Sequence, residues 1–283
     1  MESGTLETRL GPLAWQSSGH GPELIFFAGA IANHDLWRDV IAALQDRYRC
    51  ITVDLPLGAH SQPLRDGADR SAPSLARLLL DCLDLLGAED ATVVANDTAG
   101  GLVLLSLTSG HPALGRIGRL VLTNCDNYDQ FPPDSLRKAS ALCRALPGLA
   151  RVLTRQQLRS AAGRRRLAAG ACAAGLDDAR AESFFGPGRR DPRVAGDLVA
   201  AMAGCRPQLL VEAASAFPRF GQPVLLVWGD RCDFFPMAHA QRLATQFPHA
   251  TLVPVPGAKT WVPVDNPAVL AGAISDFVPV PAA

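Results

Sequence analysis

The chain has 283 residues, of which 48% are hydrophobic, and its 27 Lys and Arg residues balance its 27 Asp and Glu residues. A formal net charge of zero gives no overall field that would attract nucleic acid or an anionic membrane, so small neutral partners are favoured. No apolar run approaches the roughly 20 residues of a membrane span, and residues 1–15 lack the basic start and apolar block of a secretory signal. We therefore expect a cytoplasmic protein that binds neither nucleic acid nor membrane.

The seven cysteines are scattered, without Cys-x-x-Cys pairs or the spacing of zinc ligands. We expect reduced, mostly buried thiols and no metal site. The arginine runs at residues 164–166 and 189–190 lie in an Ala-rich helical stretch without interleaved aromatic residues. That setting favours a solvated helix face over a phosphate or nucleic-acid site.

Apolar runs that alternate with helical patterns predict an α/β fold. Six strands are predicted at residues 24–28, 50–53, 91–95, 120–123, 224–228 and 251–255. Apolar residues at helical spacing predict helices at residues 37–45, 74–86, 101–109, 238–246 and 268–277. This alternation is typical of a mostly parallel sheet flanked by helices.

The segment 127–217 breaks that alternation. It carries Leu and Ala at helical spacing, turn signals at residues 185–188, and no convincing strand. Because α/β folds of this length often form one core with an insertion, we predict a core formed by residues 1–126 and 218–283. Residues 127–217 are then predicted to form a helical cap over a pocket.

Asp97 stands where the third predicted strand breaks into a helix. Small residues, Ala95 and Ala99, flank it two positions away on either side, which is the spacing of the strained turn called a nucleophile elbow, Gly-x-Ser-x-Gly. The elbow presents its central side chain beside the N-terminus of the next helix, where backbone amides favour negative charge. The alternative is that Asp97 is a helix N-cap. Gly100 and Gly101 serve this turn and not a phosphate loop, and no cofactor motif is found.

Three further segments carry a family resemblance. Residues 25–30, followed by Trp37, resemble the strand ending in His-Gly that supplies part of an oxyanion hole, with Ala28 where the histidine usually stands. Residues 54–61 resemble the Asp-x-Pro-Gly-x-Gly-x-Ser turn, and residues 228–230 resemble the strand end that precedes the usual acid. Together with the elbow, they resemble the α/β-hydrolase superfamily, in its aspartate-nucleophile branch of haloalkane dehalogenases and epoxide hydrolases. The resemblance implies an α/β-hydrolase fold, with Asp97 reactive and the amides of Ala30 and Thr98 able to hold an oxyanion.

The catalytic histidine of that superfamily is missing. The stretch after the last strand, residues 257–263, places Thr260 where the imidazole is expected. A neutral threonine alone cannot activate water near pH 7, so the triad is incomplete. Of the six histidines, only His34, which follows the oxyanion segment, remains a candidate substitute.

The usual acid is displaced as well. The position four residues after Trp228 is Cys232, with Asp233 next to it, and Asp126 or Asp129 follows the strand where some dehalogenase-like enzymes place their acid. A turn or cap role is an equally open interpretation of these three aspartates.

This chain also lacks the residues that assist the nucleophile in haloalkane dehalogenases and in epoxide hydrolases. Haloalkane dehalogenases hold the halide with a Trp directly after the nucleophile, where this chain has Thr98, and epoxide hydrolases polarise the ring oxygen with cap tyrosines. The chain has only two tyrosines, of which Tyr128 is a candidate for the pocket together with Trp261. Core packing is the alternative for Trp261.

Three functions follow from these residues. The first is an enzyme that uses Asp97 as general acid/base on a small apolar or neutral organic molecule, in an elimination, ring opening or cyclisation, with Thr260 as a hydrogen-bond partner. The second is a hydrolase that forms a covalent aspartyl intermediate, and the third is a binding protein without catalysis. No cofactor is predicted, and the sequence makes no prediction of oligomeric state.

Overall fold

The computed structural model describes residues 2–280. Its centre is an eight-stranded sheet in the order β1-β2-β4-β3-β5-β6-β7-β8. The first two strands pair antiparallel with each other, β2 pairs antiparallel with β4, and the remaining pairs are parallel. The strands are β1 Glu2–Glu7, β2 Pro12–Ser18, β3 Glu23–Phe27, β4 Arg49–Val53, β5 Ala91–Asn96, β6 Ile117–Cys125, β7 Val224–Gly229 and β8 Ala250–Val255.

Helices follow the parallel strands, as the alternating pattern predicts. Those outside the long insertion are α1 Arg38–Leu44, α2 Ala72–Leu85, α3 Asp97–Ser106, α10 Met237–Gln246, α11 Val262–Asp265 and α12 Pro267–Phe277. Six further helices lie between β6 and β7: α4 Arg137–Ala145, α5 Pro147–Arg159, α6 Ala161–Ala171, α7 Asp178–Arg190, α8 Pro192–Gly204 and α9 Pro207–Ala213. We call the segment from α4 to α9 the helical insertion.

The sheet is covered by an apolar layer on each face. Ile25 and Val93 belong to one buried cluster, whereas Phe26 and Val94, their neighbours in the chain, belong to the other. All six residues of β5 are buried, which places this strand at the centre of the fold. Burial on both faces explains why the strands appear in the sequence as continuous apolar runs.

The helical insertion is fastened to loops that leave the carboxyl ends of three strands. The fastening contacts are Asn33 Nδ2 to the Ser183 carbonyl at 3.0 Å, His60 Nε2 to Asp197 Oδ2 at 3.0 Å, and the Trp261 amide to the Ala171 carbonyl at 2.8 Å. The insertion therefore lies at the edge of the sheet where α/β folds place their ligands. The division of the chain into a core and a cap stays a prediction.

Among residues 2–280 no single helix is long and apolar enough to cross a membrane, although the bent pair Pro192–Gly204 and Pro207–Arg219 reaches that length and composition together. Over the same residues, no group of three or more His, Cys, Asp or Glu side chains has the arrangement of a metal site.

Candidate active site

The elbow forms at the predicted position. Strand β5 ends at Asn96, helix α3 begins at Asp97, and Asp97 has a φ of +53°. This left-handed conformation is uncommon outside glycine but tolerated by Asp and Asn. Asn96, not Asp97, stands at the N-cap of α3.

Glycine is required where the neighbouring loop passes the elbow. A Cβ atom on Gly29 would lie 2.6 Å from Asp97 Cβ and 2.7 Å from Asp97 Oδ2. No side chain fits there without moving Asp97, so the small residue after β3 allows the oxyanion loop to approach the carboxyl group.

The Asp97 carboxyl group is held by backbone amides. Its Oδ2 accepts a hydrogen bond from the Ala30 amide at 3.0 Å, and the Thr98 amide also donates to it. Burial raises the pKa of Asp97 to about 7, against the opposing effect of these two amides. The residue nevertheless keeps some accessible surface between buried neighbours.

A second carboxyl group lies next to the first. Asp126 directly follows β6, the neighbour of β5, and is 1% exposed. Burial and the charge of Asp97 raise its pKa well above the usual range, although a hydrogen bond from the Thr98 side chain opposes this effect. Its Oδ1 has no partner in the described part of the chain. Burial and the neighbouring charge of Asp97 therefore both favour the protonated form of Asp126.

Comparison with known proteins agrees with the fold described above. A family model described as alpha/beta hydrolase fold matches residues 22–141. An α/β hydrolase fold protein from Burkholderia ambifaria superposes with a TM-score of 0.81 at 23% identity, covering 96% of this chain and 97% of that one. The chain has the α/β-hydrolase fold.

Two haloalkane dehalogenases are similar to this chain over nearly its whole length. Haloalkane dehalogenase 2 of Mycobacterium tuberculosis is 26% identical over 283 residues, covering 96% of this chain and 93% of the relative. The structure of a haloalkane dehalogenase from Bradyrhizobium elkani superposes with a TM-score of 0.76 at 19% identity, covering 98% of this chain and 97% of that one. Similarity to a named enzyme over such a length supports the prediction that this protein is an enzyme.

The two positions where the resemblance leads us to expect a histidine and an acid, Thr260 and Cys232, meet in the structure. The hydroxyl of Thr260 and the thiol of Cys232 lie 3.1 Å apart, and both residues are buried. Asn96 donates to the Thr260 carbonyl at 2.7 Å, which fixes this loop against the end of β5. Burial raises the pKa of the Cys232 thiol, so the pair is neutral near pH 7 and supplies no base.

None of the six histidines, all of which lie in the described part of the chain, hydrogen bonds to Asp97. The ring of His34 contacts Asp54 instead, with Nδ1 3.0 Å from Asp54 Oδ2. Burial alone lowers the pKa of His34, but the hydrogen bond and charge of Asp54 outweigh it and the pKa is raised. The structure does not bring His34 to the elbow.

The other candidate residues lie in different surroundings. Asp233 is exposed in the loop after β7. The Tyr128 hydroxyl donates to Gln246 Oε1 at 2.9 Å, away from the elbow and toward α10. Trp261 is 1% exposed and packs edge-on against Phe184 of α7, with ring centroids 5.2 Å apart. Its indole Nε1 has no partner among residues 2–280.

Sequence reasoning assigned no role to Asn96 and Asn124. Asn124 bridges to Gly229 in both directions, accepting from its amide at 2.7 Å and donating to its carbonyl at 3.1 Å. Asn96 is the last residue of β5 and Asn124 is the penultimate residue of the neighbouring strand β6. A polar residue near the end of an otherwise apolar strand was the available signal.

Proposed function

We propose that this protein is an enzyme that uses Asp97 as a general acid/base on a small, mostly apolar organic molecule, in an elimination, ring opening or cyclisation. The observation that carries the proposal is a carboxyl group with a pKa of about 7, held by amides at the elbow, with no imidazole bonded to it in the described residues. Proton transfer is most effective when the pKa of the catalytic group is close to the working pH.

The surroundings of Asp97 support proton transfer in either direction. A carboxyl group with a pKa near 7 is present in both forms at neutral pH. The amides of Ala30 and Thr98 stabilise the ionised form after a proton has left. Asp126 is the proton-sharing neighbour in this proposal, because its raised pKa keeps it protonated while Asp97 ionises.

The test is a panel of small epoxides, haloalkanes and unsaturated alcohols, with product formation measured by mass spectrometry. Asp97→Asn is expected to lower turnover of an accepted substrate by about 10² to 10⁴, the usual contribution of general acid/base catalysis. Asp276→Asn, at an exposed position on α12, is the matched control and keeps full activity. Unchanged turnover by Asp97→Asn would refute the proposal.

A covalent aspartyl route is the second candidate. It is favoured by the elbow geometry and by the similarity to haloalkane dehalogenase 2. Without an imidazole to activate water, an ester on Asp97 is expected to accumulate. Intact-mass measurement after exposure to haloalkanes and epoxides distinguishes the two routes, since the acid/base route leaves the mass of the protein unchanged.

A further inference from the structure

Charge is distributed very unevenly along this neutral chain. Residues 135–176, which contain α4, α5 and α6, hold nine of the 27 Lys and Arg residues and no Asp or Glu. Among the described residues only one of the nine, Arg137, lies within 4.0 Å of a carboxylate, that of Asp134 at 2.7 Å. The other eight are Lys138, Arg144, Arg151, Arg155, Arg159, Arg164, Arg165 and Arg166.

Exposed apolar side chains stand in the middle of this basic region. Among residues 2–280 seven large hydrophobic side chains are exposed, and four of them are Leu146, Leu149, Val152 and Leu153. Their exposed fractions are 54%, 47%, 61% and 44%. The spacing places them along one side of α5, whereas Ala150 and Leu158 point into the protein. We call these four residues the apolar ridge.

A hollow lined with arginines adjoins the apolar ridge. It has a volume of about 830 Å³ and is lined by Arg144, Arg151 and Arg206, beside the first turn of α5. The hollow also contains the carboxylate of Asp69, which accepts hydrogen bonds from Ser71. The guanidinium groups therefore stand beside an apolar surface, which is the arrangement of an interfacial helix.

We propose that α5 docks the protein on an anionic lipid bilayer, with the apolar ridge in the headgroup region and the surrounding arginines on lipid phosphates. The charge of the region is complementary to such a surface, and the ridge needs an apolar medium that phosphates alone do not offer. A second copy of this chain would bring two regions of nine like charges together. Nucleic acid would leave the ridge in water, and the ridge carries no aromatic side chain on which bases could stack.

The test is co-sedimentation of the full chain with phosphatidylcholine vesicles, with and without 30 mol% phosphatidylglycerol, at about 0.05 and 0.3 M salt. Binding is expected only with the anionic lipid and is expected to weaken with salt. Each arginine near an anionic surface contributes roughly a fivefold factor in partitioning, so Arg151→Gln with Arg159→Gln is expected to weaken binding about 25-fold. Leu149→Ser with Val152→Ser is expected to weaken it at least tenfold.

Matched controls remove the same residue types elsewhere. Val211→Ser on α9, 53% exposed, and Arg77→Gln on α2 are expected to bind vesicles like the unaltered protein. All exchanged side chains are exposed, so folding is preserved, as circular dichroism will verify. Equal binding to neutral vesicles, no binding, or unchanged binding by both double variants would overturn the proposal. It would also be overturned by a concentration-dependent dimer that the ridge variant abolishes, or by binding of duplex DNA but not of vesicles.

Discussion

At the scale of the residue, the fold disfavours the ionised form of the Asp97 side chain. Asp97 adopts a left-handed backbone conformation and a pKa of about 7. Because the folded protein binds this proton more tightly than the unfolded chain, its stability falls as the pH rises from about 4 to about 7. The site therefore opposes stability under the same conditions in which it would exchange protons.

Asp97→Asn is expected to stabilise the protein at pH 8. The amide is neutral, has nearly the same shape and tolerates a positive φ. A raised pKa of about 7 against 3.8 corresponds to at most about 4 kcal/mol, and the accessible surface at Asp97 reduces this figure. Urea unfolding at pH 8 and pH 4 measures the difference, which should vanish at the lower pH. An equal or lower stability of the variant at pH 8 would contradict the burial of an ionisable Asp97.

The sequence predicted the elbow because its signals are local. Ala95 and Ala99 flank Asp97 within one strand-to-helix turn. The contact between Cys232 and Thr260, and the effect of the Asp97 charge on Asp126, join residues that follow different strands. Such contacts depend on how loops close after the sheet has formed, and residue spacing does not specify that.

At the scale of the element, tertiary packing overrode one turn signal. Residues 185–188 were predicted as a turn, which is wrong, since α7 continues through Pro187 to Arg190. Phe184 and Phe185 are buried against the main body of the protein, and this burial holds the helix directly before the proline. The six predicted strands are confirmed. The hairpin of β1 and β2 was not predicted, because its apolar residues are interspersed with polar ones at the edge of the sheet.

A buried ionic contact fastens α8 to the loop after β4. Asp197 accepts hydrogen bonds from His60 Nε2 at 3.0 Å and from the Leu64 amide at 2.9 Å, and it also contacts Arg70. Burial by itself raises the pKa of Asp197, but these three donors outweigh burial and the pKa is lowered. The contact therefore stabilises the fold above pH 3.8 and is lost as the pH falls through the lowered pKa.

Asp197→Ala is expected to cost about 3 to 5 kcal/mol of unfolding free energy at pH 7, because it leaves three donors without their acceptor. Denaturant unfolding monitored by circular dichroism provides the measurement. The same exchange at exposed Asp276 should change stability by less than about 0.5 kcal/mol. A similar small effect at Asp197 would show that α8 is held by apolar packing alone.

At the scale of the whole molecule, the thiols are expected to be inert. All seven cysteines are free and buried, as the scattered pattern predicted. Burial raises the pKa of each thiol, that of Cys172 to about 11 and that of Cys50 to about 12. At pH 8 we expect almost no rapid reaction of the native protein with a chromogenic disulfide, and seven reactive thiols after unfolding. Rapid reaction of even one thiol in the native protein would contradict this expectation.

The overall charge was the least informative prediction at this scale. A net charge of zero correctly describes the sum but not its distribution, because nine cations without a single acid lie between residues 135 and 176. Composition sums over positions, whereas binding surfaces depend on which positions share one side of the folded chain. The difference between the net charge of the chain and the charge of one part of its surface is evident only once α4, α5 and α6 are located in the fold.

The overall neutrality of the chain therefore conceals one strongly basic region, residues 135–176. The remainder of the chain has nine more acidic than basic side chains, which balance the nine positive charges of residues 135–176. Within about 8 Å of a charged boundary at physiological ionic strength, the field rotates such a molecule and, because the field decays over that distance, also attracts its nearer charges. As the protein approaches a negatively charged surface, it is therefore expected to turn residues 135–176 toward that surface before contact.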